Sequence, residues 1–320
     1  QPRVRELSVR PESGEWAILG ENLTPEFTVQ TGRRRIDFTG LRSLRDLGVD
    51  TNSPEVVNRY AWTVFWDAPF VLPGDERRNP DMPRTPAEIQ RAPATFDTSS
   101  CEVKTDGARI EVYFPGLTMG QFSGGLRFTH YRGTSLLRME AIAQTAQDMV
   151  AYKYDAGLRG ISTAQLPRIR WIDTGGNGQH YQFGGGSHDQ PVTTRAKNRV
   201  LVAEGESGSI AVFPPPTVFF PAREVDTNLG YVWYRKDSDA AYSIGVKQAD
   251  HEDNPRFLQN FALYNAPPGT LQRMATYFYL SPDDATATRA AVMAFTNNDT
   301  FAPVPGYKTM VNHFHLRFTD

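Results

Sequence analysis

The chain has 320 residues, of which 39% are hydrophobic and 22% charged, and its formal net charge is −2. This is globular composition, sufficient for one large unit or two smaller domains, and it lacks the basic stripe of a nucleic-acid binder. Aromatic residues at 12%, with 26 glycines and 23 prolines, suit many short strands joined by turns better than they suit helices.

Val4 to Val9 alternates and reads as a first strand. Trp16 to Leu19, Phe27 to Gln30 and Arg35 to Thr39 read as further short strands, separated by Gly and Pro, and Leu41 to Leu47 as a helical turn closed by Gly48. Arg59 to Trp66 is an aromatic strand. Leu72 to Met82 is a polar loop. Thr85-Pro86-Ala87-Glu88 has the form of a capping box with Pro at the first helical position, which predicts a short helix near residue 88, ending at about Ala92.

The longest strand-like run lies between Gly124 and Gly160. Arg132-Gly133-Thr134-Ser135 reads as a two-residue hairpin with Gly133 first in a type II′ turn. That register pairs His130 with Leu137, Phe128 with Met139 and Leu126 with Ala141 on an apolar face, so His130 reads as a core histidine. On the other face Arg127 meets Glu140 and Thr129 meets Arg138.

Farther along, Met149 to Tyr154 and Ile169 to Ile172 read as strands, and Thr174 to Gln190 as a long Gly-rich loop. Arg199 to Glu204 and Ser209 to Phe213 predict a hairpin over Gly205 to Gly208. Pro214 to Pro221 is extended and stiffened by proline. Tyr231 to Arg235, Ala241 to Lys247, Phe257 to Tyr264 and Gln272 to Leu280 are strands. Ser281-Pro282-Asp283-Asp284 caps a helix over Pro282 to Thr296, stopped by Asn297-Asn298, and Tyr307 to Phe318 is a last strand. These elements predict an all-β fold, a large antiparallel β-sandwich with one C-terminal helix. Residues 1–94 are expected to form a β-rich segment packing on a main sandwich of residues 95–320.

The run of long antiparallel strands over residues 95–320 resembles the large β-sandwich of the galactose-mutarotase-like group, found beside catalytic domains in carbohydrate-active proteins. The resemblance carries no diagnostic motif and so implies no catalytic residue. A second, local likeness lies in Met310-Val-Asn-His-Phe-His, which is similar to the H-x-H that opens metal-dependent hydrolase barrels. There the remaining ligands lie downstream, which implies a catalytic domain beyond residue 320.

Five places carry candidate chemistry. His313 and His315 share a face of a strand and can direct two imidazoles at one metal. Asp250 to Asn254 clusters hard oxygen donors, without the ligand spacing of a calcium loop. His180, Tyr181 and His188 in the Gly-rich loop offer polar tips to a sugar or a partner. Phe213, Phe219 and Phe220 ride on the proline segment, a pre-ordered docking surface that loses little entropy on binding. Trp62, Trp66, Trp171 and Trp233 are candidates for sugar stacking. Cys101, the only cysteine, excludes an intrachain disulfide and reads as a buried, unreactive thiol.

No cofactor is predicted, since the Gly-rich loop has neither dinucleotide spacing nor a P-loop lysine. The longest apolar stretches fall short of the roughly 18 residues of a membrane span. Position 1 is Gln, a start of the kind signal-peptide removal leaves, so the expectation is an exported, periplasmic or secreted protein. With no nucleophile constellation, the leading reading is a non-catalytic structural or binding subunit docked on a larger assembly, at the outer face of a membrane protein complex. The alternatives are a carbohydrate-active enzyme or its sandwich domain, and a free sugar-binding module.

Overall fold

In the second strand, Leu23, Phe27 and Val29 are buried while Thr24, Glu26 and Thr28 between them are partly open. This two-residue period builds a sheet with one face on a core. The computed structural model describes residues 2–12, 14–33, 42, 44–56, 89–184, 192–216, 230–247, 264–299 and 305–306. In chain order the strands are β1 (Val4–Val9), β2 (Ala17–Arg33), β3 (Ile89–Pro93), β4 (Thr95–Phe96), β5 (Glu102–Thr105) and β6 (Arg109–Met119). They continue with β7 (Phe122–Tyr131), β8 (Leu136–Gln144), β9 (Val150–Ser162), β10 (Arg168–Ile172), β11 (Gly178–Gln182) and β12 (Val192–Ala196). The last six are β13 (Leu201–Gly205), β14 (Gly208–Phe213), β15 (Gly230–Lys236), β16 (Ala241–Lys247), β17 (Tyr264–Ala266) and β18 (Gln272–Ser281), and helix α1 (Ala285–Thr296) follows.

Two antiparallel sheets face each other. The first runs β1-β2-β9-β16-β15-β12, with β3 beside β2 and β17 beside β9. The second runs β11-β10-β13-β14-β18-β8-β7-β6-β4, with β5 beside β6. Between them lies one apolar layer that includes Phe27, Tyr154 and Ile244 from the first sheet and Leu126, Met139 and Phe278 from the second. Its polar atoms are paired across the gap: Tyr154 donates its hydroxyl to the Ala275 carbonyl at 2.9 Å and accepts the Ala275 amide at 3.1 Å. The all-β sandwich read from the sequence is therefore the fold.

The central hairpin has the predicted register, His130 opposite Leu137 through Leu126 opposite Ala141, and Gly133 has φ +75°. Arg127 donates twice to Glu140 Oε2, at 3.0 and 2.6 Å, and Arg138 donates to Oε1 at 2.6 Å. The hairpin over Gly205 and Gly208 also forms as expected.

Helix α1 covers part of the outer face of the second sheet. Ala285, Thr288, Val292, Met293 and Thr296 recur at helical spacing and are buried, against sheet residues that include Val200, Val202 and Phe213. Asp284 is its N-cap, accepting the Thr286 and Ala287 amides at 2.9 Å, so the helix begins three residues later than Pro282. Asn297, at φ 52°, ends it as predicted. Just beyond, Asp299 takes two bonds from the equally buried Arg199, at 2.7 and 2.6 Å, tying the end of the helix to the turn before β13.

Several expectations are corrected. Ile89–Pro93 is a strand, not the end of a helix, because it pairs with Thr28–Gly32 of β2, and this pairing outweighs the local capping signal. Residues 85–88 lie outside the described residues. Trp16–Leu19 and Phe27–Gln30 belong largely to one 17-residue strand, held together by β9 through Thr24–Arg33 despite Pro25. The Gly-rich segment contains β11, which pairs with β10. His130 and Cys101 are exposed rather than buried, since each lies near an open end of the second sheet.

Candidate functional site

The middle of the first sheet is β2, β9, β16 and β15. Their core-facing residues include Phe27, Tyr154, Ile244 and Tyr234, so the alternate residues point away from the core. Ranks of polar side chains cross the strands on that outer face. Arg91 sits beside Gln30 and Gln30 beside Lys153. Thr28 sits beside Asp155 and Asp155 beside Lys247. Glu26, Gly157, Gly245 and Trp233 make the next rank.

The two glycines are required both by Trp233 and by the adjacent backbone, since a Cβ on Gly157 would also strike the Ile244 carbonyl and one on Gly245 the Ala156 carbonyl. A Cβ on Gly245 would strike the indole, and one on Gly157 would meet its edge at 2.9 Å. The ring lies across this floor and donates Nε1–H to the Val246 carbonyl at 3.1 Å. Arg235 stacks on it, 5.6 Å from the ring centroid, and clasps Glu26 with two bonds of 2.8 Å. That clasp, with a further bond to Asp237, holds the Arg235 pKa above its ordinary range.

Asp155 lies diagonally across from Glu26, about 7–8 Å away between backbones. Burial pushes its carboxyl pKa up, against the pull of Lys247, whose Nζ is 3.8 Å away, and of Lys153 and Arg91. The face thus carries a carboxylate clasped by a guanidinium, Glu26, and one whose pKa burial raises, Asp155.

Two residues beyond Gln30, Gly32 opens onto a cavity of about 410 Å³. Gln90, Gln121, Gln147, Asp148, Thr31 and Arg33 line it. Gln121 comes from the turn between β6 and β7. Gln147 and Asp148 come from the bend before β9, where the Thr145 hydroxyl accepts the Gln147 amide at 3.1 Å. Met149 ends that bend at φ 60°, a left-handed conformation that is costly for a residue with a long side chain. Amides, a carboxylate and a guanidinium are planar groups that can bond neighbouring hydroxyls in pairs. None of the cavity residues carries a motif. The only sequence trace was Gln147-Asp148 standing just before a strand.

The residues singled out from sequence are scattered. His180 stands on the outer face of the second sheet, opposite Arg170 and far from these ranks. Tyr181, its neighbour, turns inward onto Tyr234 and Phe183, with ring centroids 5.0 and 5.1 Å away. Phe213 is enclosed between Tyr277 and Phe295, leaving its ring no surface to offer a docking partner. Trp171 packs on Tyr234. His188, Phe219, Phe220, His313, His315, Trp62, Trp66 and the acidic stretch 250–254 lie outside the described residues.

No family model matches the chain, and no curated protein does. Its solved neighbours are of the galactose-mutarotase and aldose-epimerase kind. The Slr1438 protein of Synechocystis is 11% identical, with a TM-score of 0.36 over 62% of this chain and 73% of its own. A galactose mutarotase related enzyme of Lactobacillus acidophilus is 12% identical, with a TM-score of 0.33 over 57% of this chain and 71% of its own. A proposed aldose 1-epimerase of Escherichia coli is 10% identical, with a TM-score of 0.34 over 57% and 68%. At such scores the likeness carries no argument about activity.

Proposed function

We propose that this chain binds carbohydrate, in the cavity at the end of the first sheet. The observation that carries this reading is the cavity lining, in which three glutamines, Asp148, Thr31 and Arg33 converge on about 410 Å³. Every sugar hydroxyl both donates and accepts, so a polyhydroxylated ring suits a site rich in amides and carboxylates. The volume lies in the ordinary range for small-ligand sites. Of the proline segment offered to a docking partner, the described aromatic, Phe213, is buried.

Binding is read directly by titrating a panel of neutral mono- and oligosaccharides and following amide shifts by NMR. At least one sugar is expected to bind, and Gln147→Ala and Asp148→Ala are each expected to weaken it roughly tenfold, the loss of about one hydrogen bond to a polar or charged group. The reading fails if no sugar binds at about 10 mM, or if binding survives both substitutions unchanged.

A further inference from the structure

On the other side of the molecule, the first turns of helix α1 stand over the outer face of β11, β10 and β13. Between them is a cavity of about 420 Å³. Ile172, Val200, Val202, Ala285 and Ala290 give it apolar walls, and the charged and basic side chains in its lining are Arg170, Arg289 and His180. No carboxylate lines it among the described residues.

The two arginines differ. Arg170 donates Nε–H to Glu204 at 2.5 Å, so its charge is met. Glu204 is also 3.2 Å from Arg168 and accepts the Ala285 amide at 3.0 Å, so its oxygens are fully engaged there. Arg289 has no carboxylate partner among the described residues. Its Nη2 donates to the amide oxygen of Asn198 at 2.6 Å, and its Nε is buried with no acceptor. Burial accordingly lowers the Arg289 pKa. Arg289 is partly buried and lines the cavity, so an anion there would meet a guanidinium that no carboxylate among the described residues neutralises.

We infer that this cavity binds a small organic acid, with its carboxylate on Arg289 beside His180 and an apolar body against Ile172, Val200 and Val202. One uncompensated positive charge matches one carboxylate. A guanidinium gives charge-assisted hydrogen bonds to that group, and the Asn198 contact fixes its orientation. The site is separate from the proposed sugar cavity, with which it shares no lining residue.

The probe is benzoate, with benzamide as its neutral isostere, measured by calorimetry on the full chain. Benzoate is expected to bind at least about tenfold more tightly than benzamide. Arg289→Gln is expected to remove that preference. Ala290→Trp, a change at the exposed rim that leaves Arg289 in place, is expected to block both compounds. An unchanged thermal melt, together with unchanged saccharide shifts where a sugar binds, shows that each variant is folded. Equal binding of benzoate and benzamide, no binding of benzoate at about 10 mM, or benzoate binding indifferent to both substitutions overturns the inference.

Discussion

Asp155 has a carboxyl held partly out of water on the face of a sheet, with Lys247 and Lys153 near but not enough to offset burial. Its folded-state pKa lies above the ordinary 3.8, so the folded chain holds this proton more tightly than the unfolded chain does. The stability that follows is present in full below the unfolded pKa and is lost as pH rises through the folded value. Asp155→Asn removes the titration. The wild type is therefore expected to lose stability relative to this variant as pH rises from about 4 upward. Urea midpoints of both proteins across that range measure it, and a difference constant with pH contradicts the assignment. The type of this residue was readable in the sequence, but its environment was not. Lys247 is 92 positions away, and only strand pairing makes it a neighbour.

At the scale of the element, β15 and β16 depend on an exchange of bulk. Trp233 on β15 supplies a large ring, and Gly245 on β16 and Gly157 on β9, the next strand over, leave space for it. Gly245→Ala forces the indole out of its place and is expected to cost about 1–3 kcal/mol, the usual penalty of overpacking. Trp233→Leu in the same chain is expected to recover the part of that loss that comes from the ring, while the collision with the Ala156 carbonyl remains. Denaturant unfolding of the single and double variants checks the coupling, and strict additivity would refute it. The strands themselves were legible wherever apolar and polar residues alternate, as in the central hairpin, whose pairs formed in the register the alternation required. Legibility failed at Ile89–Pro93. There Thr85-Pro86-Ala87-Glu88 is a sound helix signal, but a capping box describes only its neighbours, and the free edge of β2 decided the outcome.

At the scale of the whole molecule, the two sheets share one apolar layer and exchange hydrogen bonds through Tyr154, so neither retains its core alone. The sheets also interleave along the chain. β9 in the first follows β8 in the second, and β18 in the second follows β17 in the first. Unfolding is therefore expected to be a single transition, with tryptophan fluorescence and far-UV circular dichroism following the same curve in urea. Two separated transitions would show that the sheets are independent units.

The fold class was legible in the chain, because the two-residue alternation, turn glycines and the absence of long helical periodicity are local properties. Also legible were the C-terminal helix and its stop at Asn297, where capping chemistry is local too. The sequence did not determine either candidate site. The polar ranks of the first sheet and the cavity at Gln147 join residues from β2, β3, β9, β15, β16 and the β6–β7 turn. The anion cavity joins Arg289 on the helix to His180 on an edge strand. No short spacing encodes such sets, since sheet order, not chain order, decides which outward side chains share a face.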